Sequence, residues 1–426
     1  MLIGTTVRRV AIVGGSRIPF ARGMGAYFGT GNQQMLTAAL QGVVERFGLA
    51  GERLGEVAAG AVIKHSSQWN LARECVLGSG LHPSTPAFDL QRACGTSLEA
   101  AIQVANKIAL GQIEAGIAGG TDSVSDAPIV YPRAYQQLLL ESARGRTLGA
   151  RLKPWLGLRP SFFKPVAPAV IEPRTGLSMG QSCERMAREW AIGRADQDAL
   201  AAESHHRAAA AYAAGFYDDL VVPFGGLEAD NLLRPDTSVE KLARLPPVFD
   251  RSDGTLTAGN STALTDGAAA VLLASEDWAR ARGLPVLATL STAAVAAVDF
   301  VGHEGLLMAP AYAVPKLLAA RGLGLQDFDY YEIHEAFAAQ VLCTLKAWES
   351  EDFCRTRLGL PAALGAIDRA KLNVVGSSLA LGHPFAATGA RILATLAKLL
   401  AERGGRRGLV SICTAGGMGV TAIVER

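Results

Sequence analysis

Four short stretches of the sequence carry side chains that could act together in acyl transfer. They are DLQRACGTSLEAA with Cys94, HEAFAAQ beginning at His334, GHPFAATGAR with His383, and CTAGGMG beginning at Cys413. A cysteine at the start of a helix lies near the positive end of the helix dipole, which favours the thiolate. A nucleophilic thiol, imidazoles that take its proton, a second thiol and glycine-lined backbone donors can together move an acyl group through a thioester.

Each of these residues also has an ordinary structural explanation. Isolated cysteines are most often packing residues, and a histidine at a helix start is most often a cap or a surface residue. A Gly-Gly pair after a strand is usually a turn. The prediction of a catalytic site therefore depends on the four stretches occurring together in one chain.

The surrounding sequence predicts an α/β protein made of two similar halves. Short apolar runs such as VAIVGG and EAGIAGG alternate with helical segments towards both ends of the chain. This pattern predicts an N-terminal half over residues 1–123, continued by about 254–280, and a C-terminal half over 281–426. Residues 124–253 are richer in proline and charge, and are predicted to form an inserted loop domain with one long helix over 183–215.

The composition excludes several classes of partner. In a chain of 426 residues, 41 Lys and Arg nearly balance 39 Asp and Glu, so no basic field is present for nucleic acid. The six cysteines form no CxxC pair, which predicts free thiols in a reducing compartment and no metal site. The start of the chain does not resemble a signal peptide, and the apolar run over 284–302 is broken by Pro285 and Asp299. We therefore expect a cytoplasmic protein without a membrane span.

Six stretches, in order along nearly the whole chain, resemble the motifs of the thiolase family. They are ACGTSLEAA at Cys94, MGQSCERMAREW from Met179, TAGNSTALTDGAA from Thr257, HEAFA at His334, GHPFAATGAR at His383 and CTAGGMG at Cys413. The resemblance implies the five-layered αβαβα thiolase fold, with two similar halves and a loop domain between them. HEAF in place of the commoner NEAF, together with KPWLGLRPSFFKPVAPAV, resembles the β-subunit type of trifunctional fatty-acid oxidation complexes.

The same resemblance implies a role for each matched residue. Cys94 corresponds to the nucleophile that attacks the 3-keto carbon of a 3-ketoacyl-CoA, and His383 to the base that takes its proton and later activates CoA. Cys413 corresponds to the acid and base that exchanges a proton with the α-carbon of acetyl-CoA. A thiol suits that role because its ordinary pKa, about 8.5, allows proton transfer in both directions near neutrality.

The other implied site residues depart in part from the family pattern. The backbone N–H groups of Cys94 and Ala415 correspond to an oxyanion hole, in which the family more often has glycine at position 415. His334 stands where most thiolases have asparagine, which leaves open whether it holds a water or contacts the thioester oxygen itself. Arg234 and Thr262 correspond to positions that contact coenzyme A, the second of which is usually serine.

The resemblance implies an acetyl-CoA C-acyltransferase of fatty-acid β-oxidation, with CoA as co-substrate and no permanently bound cofactor. Its partners would be acyl-CoA, CoA, further copies of itself in a homodimer or homotetramer, and a hydratase–dehydrogenase α-subunit. One alternative is a short-chain acetyl-CoA C-acetyltransferase that makes acetoacetyl-CoA. Two others are weaker. A ketoacyl synthase has no counterpart of Cys413, and a non-catalytic acyl-CoA or lipid carrier has no reason to keep Cys94, His383 and Cys413 together.

The stretch RLKPWLGLRPSFFKPVAPAVIEP, residues 151–173, is apolar, aromatic and crowded with prolines. Because proline removes a backbone donor and fixes φ, no regular helix or central strand is expected here. Trp155, Phe162, Phe163 and Val166 would then lie at the surface of the loop domain, either packed on the protein or meeting a partner or long ligand. The resemblance favours contact with an α-subunit, and the acyl-chain tunnel is the second choice.

Overall fold

The computed structural model describes residues 7–166, 170–302 and 304–426, and the chain forms two units. One unit comprises Met1–Asp126 and Glu172–Arg426, and the other comprises Ala127–Ile171. This division differs from the predicted loop domain over 124–253, because residues 172–253 belong to the larger unit.

Two buried carboxylates tie this segment into the larger unit. Arg17, on the first strand, forms a buried ion pair of 2.6 Å with Asp230. Glu184 accepts hydrogen bonds from the backbone N–H groups of Thr255 and Leu256, at 2.7 and 3.0 Å. A buried charge that loses its partner is costly, so these contacts hold the segment against the α/β core.

Ten strands in the described residues form the sheet structure of the larger unit. Their bounds are β1 (Val10–Arg17), β2 (Ala21–Arg22), β3 (Glu56–Ala59), β4 (Ala87–Asp89), β5 (Ala115–Asp122), β6 (Thr265–Ser275), β7 (Ala288–Ala297), β8 (Tyr330–Ile333), β9 (Arg407–Thr414) and β10 (Met418–Glu425). The spatial order is β4-β3-β5-β6-β1-β7-β10-β9-β8, and β2 pairs with β6 beside this path.

The helices make up most of the remaining regular structure. Their bounds are α1 (Asn32–Arg46), α2 (Leu71–Gly78), α3 (Thr96–Ala109), α4 (Arg133–Arg144), α5 (Leu148–Leu152), α6 (Met179–Glu189), α7 (Arg194–Ala213), α8 (Val239–Leu242), α9 (Glu276–Ala281), α10 (Ala309–Arg321), α11 (Ala338–Glu349), α12 (Glu351–Thr356), α13 (Ser378–Leu381) and α14 (Thr388–Glu402). Among the described residues, no helix combines the length and apolar character needed to cross a membrane.

The strands are buried on both faces, so helices cover the sheet structure in layers. Val10 and Ile12 of β1 pack in the core formed with α3 and α14, whereas Ala11 and Val13 pack in the core formed with α1 and α2. This is the alternation expected along a strand. The opposite face of the C-terminal strands packs against α10 and α11. The order helix, sheet, helix, sheet, helix confirms the predicted αβαβα fold.

The two halves repeat one arrangement of strands. In the first half β3 runs parallel to β5, β5 antiparallel to β6, and β6 antiparallel to β1. In the second half β8 runs parallel to β9, β9 antiparallel to β10, and β10 antiparallel to β7. The halves meet where β1 pairs with β7 through Ala11 and Ile12. Strand β6 lies between β5 and β1 and completes the first half.

The two central helices occupy equivalent places in the halves and approach each other closely where they begin. Helix α3 precedes β5, and α14 precedes β9. A Cβ atom on Gly389, in the first turn of α14, would lie 2.3 Å from the backbone nitrogen of Leu98 on α3. Beside it, the Ala390 N–H donates to Ser97 Oγ at 2.8 Å. This contact fixes the relative position of the loops that carry Cys94 and His383.

The predicted helix over 183–215 is interrupted. Helix α6 ends at Glu189 and α7 begins at Arg194, with Ala191 between them at a φ of 47°. A residue in the left-handed region ends a right-handed helix, and alanine gives no local sequence signal for that conformation. The prediction of one continuous helix is therefore wrong.

The smaller unit, Ala127–Ile171, contains α4, α5 and 3-10 helices at Lys153–Gly157 and Pro160–Phe163. The described part of the stretch 151–173 thus has only short helical turns, as predicted, and residues 167–169 lie outside the described residues. Tyr135 of α4 packs against Phe162 and Phe163, at ring-centroid distances of 6.0 and 5.5 Å. The aromatic side chains of this stretch therefore pack partly within their own unit.

We expect Gly389→Ala to destabilise the protein by about 1–3 kcal/mol, because the added methyl group must push α14 away from the backbone of α3. The urea concentration at the unfolding midpoint measures this effect. Gly149→Ala is the matched control, because a Cβ atom there meets nothing within 4 Å. An unchanged midpoint for Gly389→Ala would contradict the close approach of the two helices.

Candidate active site

Cys94 lies in a tight turn between β4 and α3. It precedes Gly95, the N-cap residue of α3, and follows Ala93, which has a φ of 43°. The turn is closed by hydrogen bonds from Gly95 N–H to Arg92 O and from Thr96 N–H to Ala93 O, at 2.9 and 3.1 Å. A non-glycine residue in the left-handed region is strained, and such strain is often kept at functional sites.

His383 lies in the loop before α14, the equivalent place in the second half. Gly382 has a φ of 105°, and a Cβ atom there would lie within 2.8 Å of both Leu232 and Thr265. The His383 backbone N–H donates to Thr265 Oγ1 at 3.2 Å, and its Nδ1 shares a 2.6 Å hydrogen bond with Thr388 Oγ1. Its Nε2 is buried and has no hydrogen-bond partner among the described residues.

His334 follows directly after β8. Its backbone N–H donates to the carbonyl oxygen of Ser411 on β9 at 2.9 Å, which continues the pairing of the two strands. Its Nδ1 shares a 2.8 Å hydrogen bond with Ser378 Oγ. Its Nε2, like that of His383, is buried, and no group in the described part of the chain hydrogen-bonds to it.

The structure brings three of the predicted site residues together. Ligand atoms of Cys94, His334 and His383 lie within 4.8 Å of one another, and the two imidazole rings have centroids 4.1 Å apart. A thiol and two imidazoles are donors that suit zinc, and they also suit proton transfer to and from sulfur. The absence of a functional metal stays a prediction.

Cys413 and Ala415 complete the surroundings of Cys94. Cys413 lies buried near the end of β9, and the backbone N–H groups of Ala415 and Cys94 are directed at Cys94 Sγ. Ala415 is not among the residues with positive φ, so its position does not require glycine. The next residue, Gly416, has a φ of 77° and donates its N–H to Glu172 Oε1 at 2.6 Å.

The catalytic candidates are uncharged in the free protein near neutral pH. Burial raises the pKa of Cys94 to about 12, although the N–H groups of Ala415 and Cys94 act in the opposite direction. Burial also raises the pKa of Cys413, and the nearby Cys94 adds to that effect. Burial, then Arg391, lowers the pKa of His383 to about 3. The expectation that the helix start favours the Cys94 thiolate is thus outweighed by burial.

Arg234 and Thr262 line one cavity of about 640 Å³. Thr262 Oγ1 donates to the Ala336 carbonyl oxygen at 3.1 Å, two residues beyond His334. Leu264, also on the cavity wall, pairs through its backbone with His383. The cavity is therefore continuous along the backbone with the loops of the site. Arg22 and Lys241 also line the cavity, and so does Asp236, which forms an ion pair with Lys241 at 2.8 Å. Three cations against one carboxylate leave the wall with a positive character suited to an anionic ligand.

Sequence reasoning missed several residues that hold the site together. Ser378 hydrogen-bonds to His334, and Thr388 hydrogen-bonds to His383. Arg391 donates to Ser378, and Glu172 accepts from Gly416 in the turn after Cys413. Arg391 offered a signal, because it is one of two charged residues, with Lys398, in the mostly apolar helical run ARILATLAKLL. Ser378 and Thr388 offered none, since a single hydroxyl residue at the start of a helix has no distinctive pattern.

The layered fold and the convergence of a thiol with two imidazoles suit an acyltransferase. The model of the thiolase N-terminal domain matches residues 10–277, and that of the thiolase C-terminal domain matches residues 284–426. The chain belongs to the thiolase family. Its enzyme class, predicted from the motifs, is confirmed.

Named relatives and solved structures agree with this assignment. The 3-ketoacyl-CoA thiolase of Pectobacterium atrosepticum is 44% identical over 98% of this chain and 96% of its own length. The 3-ketoacyl-CoA thiolase of Yersinia enterocolitica is 43% identical over 98% of this chain and 97% of its own length. The Bacillus anthracis acetyl-CoA acetyltransferase structure has a TM-score of 0.82 at 31% identity, covering 99% and 100% of the two chains. The structure of human mitochondrial 3-ketoacyl-CoA thiolase in complex with CoA has a TM-score of 0.81 at 30% identity, covering 98% of each of the two chains.

We expect alkylation of Cys94 by iodoacetamide to rise about tenfold per pH unit through pH 9, because the thiolate is the reactive form and the pKa lies near 12. Peptide mass spectrometry of the Cys94 peptide measures the rate. In urea-unfolded protein the alkylation rate of the same peptide should level off as the pH passes the ordinary thiol pKa of about 8.5. A plateau between pH 6 and 8 in the folded protein would instead indicate a preformed thiolate–imidazolium pair.

Proposed function

We propose that the chain cleaves 3-ketoacyl-CoA with CoA in fatty-acid β-oxidation, giving acetyl-CoA and a shortened acyl-CoA through a thioester on Cys94. The observation that carries the proposal is the convergence of Cys94, His334 and His383 within 4.8 Å, with the Ala415 N–H directed at the sulfur. Relatives with 42–44% identity are 3-ketoacyl-CoA thiolases, whereas the acetyl-CoA acetyltransferase structure is 31% identical. The two solved structures do not separate the activities, since human mitochondrial 3-ketoacyl-CoA thiolase is 30% identical, but the names of the full-length relatives favour 3-ketoacyl-CoA thiolysis.

In the first half-reaction the Cys94 thiol is the nucleophile. His383 Nε2 accepts the thiol proton as Sγ attacks the 3-keto carbon, and the N–H groups of Cys94 and Ala415 stabilise the resulting oxyanion. The bond between the α-carbon and the keto carbon then breaks, the acyl group stays on Cys94, and the carbanion of acetyl-CoA takes the proton of Cys413. Removing one oxyanion donor costs about 2.7–4 kcal/mol in other enzymes, so these N–H groups are a large part of the catalysis.

In the second half-reaction CoA removes the acyl group. His383 first passes the proton taken from Cys94 to the Cys413 thiolate, and it then takes the proton of the CoA thiol as the CoA sulfur attacks the thioester carbon. The bond to Cys94 Sγ breaks, and His383 returns that proton to Cys94. Over both halves one proton passes from the CoA thiol to the α-carbon, and both cysteines end protonated. The raised pKa of Cys94 and of Cys413 favours this resting state.

CoA is proposed to bind in the cavity lined by Arg234 and Thr262. Arg22, Arg234 and Lys241 would meet its phosphates, and the Thr262 side of the cavity leads towards His334 and His383. A cavity of about 640 Å³ is large enough to enclose part of a ligand of this size. The human mitochondrial thiolase with the same fold was solved in complex with CoA. No permanently bound cofactor is needed for the steps above.

The edge strand β4 is the proposed site of self-association into a homodimer or homotetramer. Within the described residues β4 has β3 as its one strand partner, and Ala87–Asp89 are only partly buried. An exposed strand edge readily pairs with another strand. The cytoplasmic location predicted from the sequence belongs to the same proposal.

The smaller unit is the proposed contact surface for a hydratase–dehydrogenase α-subunit. Against one acidic residue, Glu141, it has seven basic residues: Arg133, Arg144, Arg146, Arg151, Lys153, Arg159 and Lys164. It also exposes Leu140, Leu148 and Leu156, by 63%, 75% and 89%. Exposed apolar groups with one sign of charge around them favour a partner whose contact face is apolar with an acidic rim.

We expect Cys413→Ala to keep acylation of Cys94 by acetyl-CoA and to lose thiolysis by about 10²–10⁴-fold, because only the proton transfer at the α-carbon is removed. Peptide mass spectrometry locates the acyl group, and acetoacetyl-CoA cleavage measures thiolysis. Cys94→Ser, which lacks the nucleophilic thiol, should show no adduct. An adduct on Cys413 in the wild-type protein, or loss of acylation in a folded Cys413→Ala variant, would contradict the division of roles.

We expect the double variant Leu140→Ser, Leu156→Ser to bind the α-subunit at least about tenfold more weakly, because buried apolar side chains dominate such interfaces. Biosensor binding to the purified α-subunit measures the affinity. Cleavage of acetoacetyl-CoA should stay unchanged. Leu77→Ser, at a residue 51% exposed on α2, is the matched control. Undiminished binding, with an unchanged ratio of long-chain to short-chain activity, would remove both the partner and the acyl-tunnel interpretations of this surface.

A further inference from the structure

A buried hydrogen-bond chain runs from Arg391 to the imidazole of His334. Arg391 on α14 is 2% exposed, and its Nη2 donates to Ser378 Oγ at 2.7 Å. Ser378 Oγ is in turn 2.8 Å from His334 Nδ1. The other terminal nitrogen, Nη1, donates to Ser377 Oγ at 3.1 Å. These hydrogen bonds end at His334 and do not reach Cys94, so their effect is on His334.

The protons available in this chain fix its direction. A guanidinium can only donate, so the Arg391 contact uses a lone pair of Ser378 Oγ. Within the described residues, His334 Nδ1 is the remaining hydrogen-bond partner of this oxygen, and it is therefore the acceptor for the hydroxyl proton. If Nδ1 carried a proton, two donors would face Ser378 Oγ and the serine proton would be left without an acceptor in a buried place.

The groups around His334 also favour an imidazole ring that is not doubly protonated. The titratable groups near it are Cys94, His383, Arg391, Glu332 and Glu335. Burial, then His383 and Arg391, hold the pKa of His334 well below its usual value, so the ring stays neutral.

Neither Glu332 nor Glu335 forms an ion pair with the imidazole of His334 that would favour its protonated form. The Glu335 carboxylate already accepts hydrogen bonds from Ser204, Asn373 and the Leu379 N–H. Glu332 lies 3.9 Å from Arg391. No described carboxylate hydrogen-bonds a ring nitrogen of His334.

We infer that Ser378 and Arg391 are positioning residues that hold His334 as the neutral imidazole with its proton on Nε2, a hydrogen-bond donor facing the substrate oxygen. A donor that itself accepts from a cation is polarised and donates more strongly. At His383 the equivalent hydroxyl, Thr388 Oγ1, receives no guanidinium in the described residues, so that imidazole is free to accept and return a proton. Two adjacent histidines are thereby given different roles by their surroundings. The identity of the oxygen, but not the tautomer, rests on the proposed function.

The tautomer can be read without substrate, by long-range ¹H–¹⁵N correlation spectra of protein containing ¹⁵N-labelled histidine. The His334 signals are those lost in His334→Asn. We expect a protonated Nε2 and an unprotonated Nδ1 in the wild-type protein near neutral pH. Ser378→Ala should lose this pattern, and Ser378→Thr, which keeps the hydroxyl, should restore it. Ser377→Ala is the matched control, because Ser377 contacts Arg391 but not His334.

Kinetics give a second readout. Ser378→Ala should lower kcat for acetoacetyl-CoA thiolysis by about tenfold or more, less than the 10²–10³-fold loss of an oxyanion donor itself, while KM changes little. A proton on Nδ1 in the wild-type protein, or an unchanged tautomer in folded Ser378→Ala, would overturn the inference. If the wild-type protein showed the expected tautomer but no thiolysis, the proposed function would fail and the inference about His334 would stand.

Discussion

The contact between α3 and α14 at Gly389 is the constraint on which the rest of the site depends. Each helix is the central helix of its half, and each begins directly after a loop with a reactive side chain. Because the backbones touch, a thiol from one half and an imidazole from the other lie within reach of proton transfer. Neither half could build this site alone. The layered fold, with two sheets enclosing these helices, is what keeps the contact in place.

Burial keeps the reactive side chains of the site uncharged in the free protein. Cys94, Cys413, His334 and His383 are all driven towards their neutral forms by removal from water. Charge then develops only when a substrate brings a carbonyl that can become an oxyanion and a carbon that can accept a proton. Backbone N–H groups aimed at the sulfur need no reorganisation at that moment.

Motif composition predicts that Cys94 and His383 meet, because each lies beside a glycine in a loop that leads into a helix. The same reasoning predicts the duplicated α/β fold from the repeated order of apolar runs. It does not predict protonation states, since the helix dipole at Cys94 is a local effect and burial is a tertiary one. It also misses the break at Ala191 and the attachment of residues 172–253 to the larger unit, which depend on contacts between segments distant in sequence.

The hydrogen bond from the Gly416 N–H to Glu172 has a consequence for chimeric proteins. Glu172 is the first residue of the larger unit after Ala127–Ile171, and its carboxylate anchors the turn that presents the Ala415 N–H. An insertion exchanged between relatives can therefore vary in length and surface only up to residue 171. A cassette that extends one residue further replaces the carboxylate that holds the turn of Ala415 and Gly416, so the recombination boundary is set by this turn as well as by the division into units.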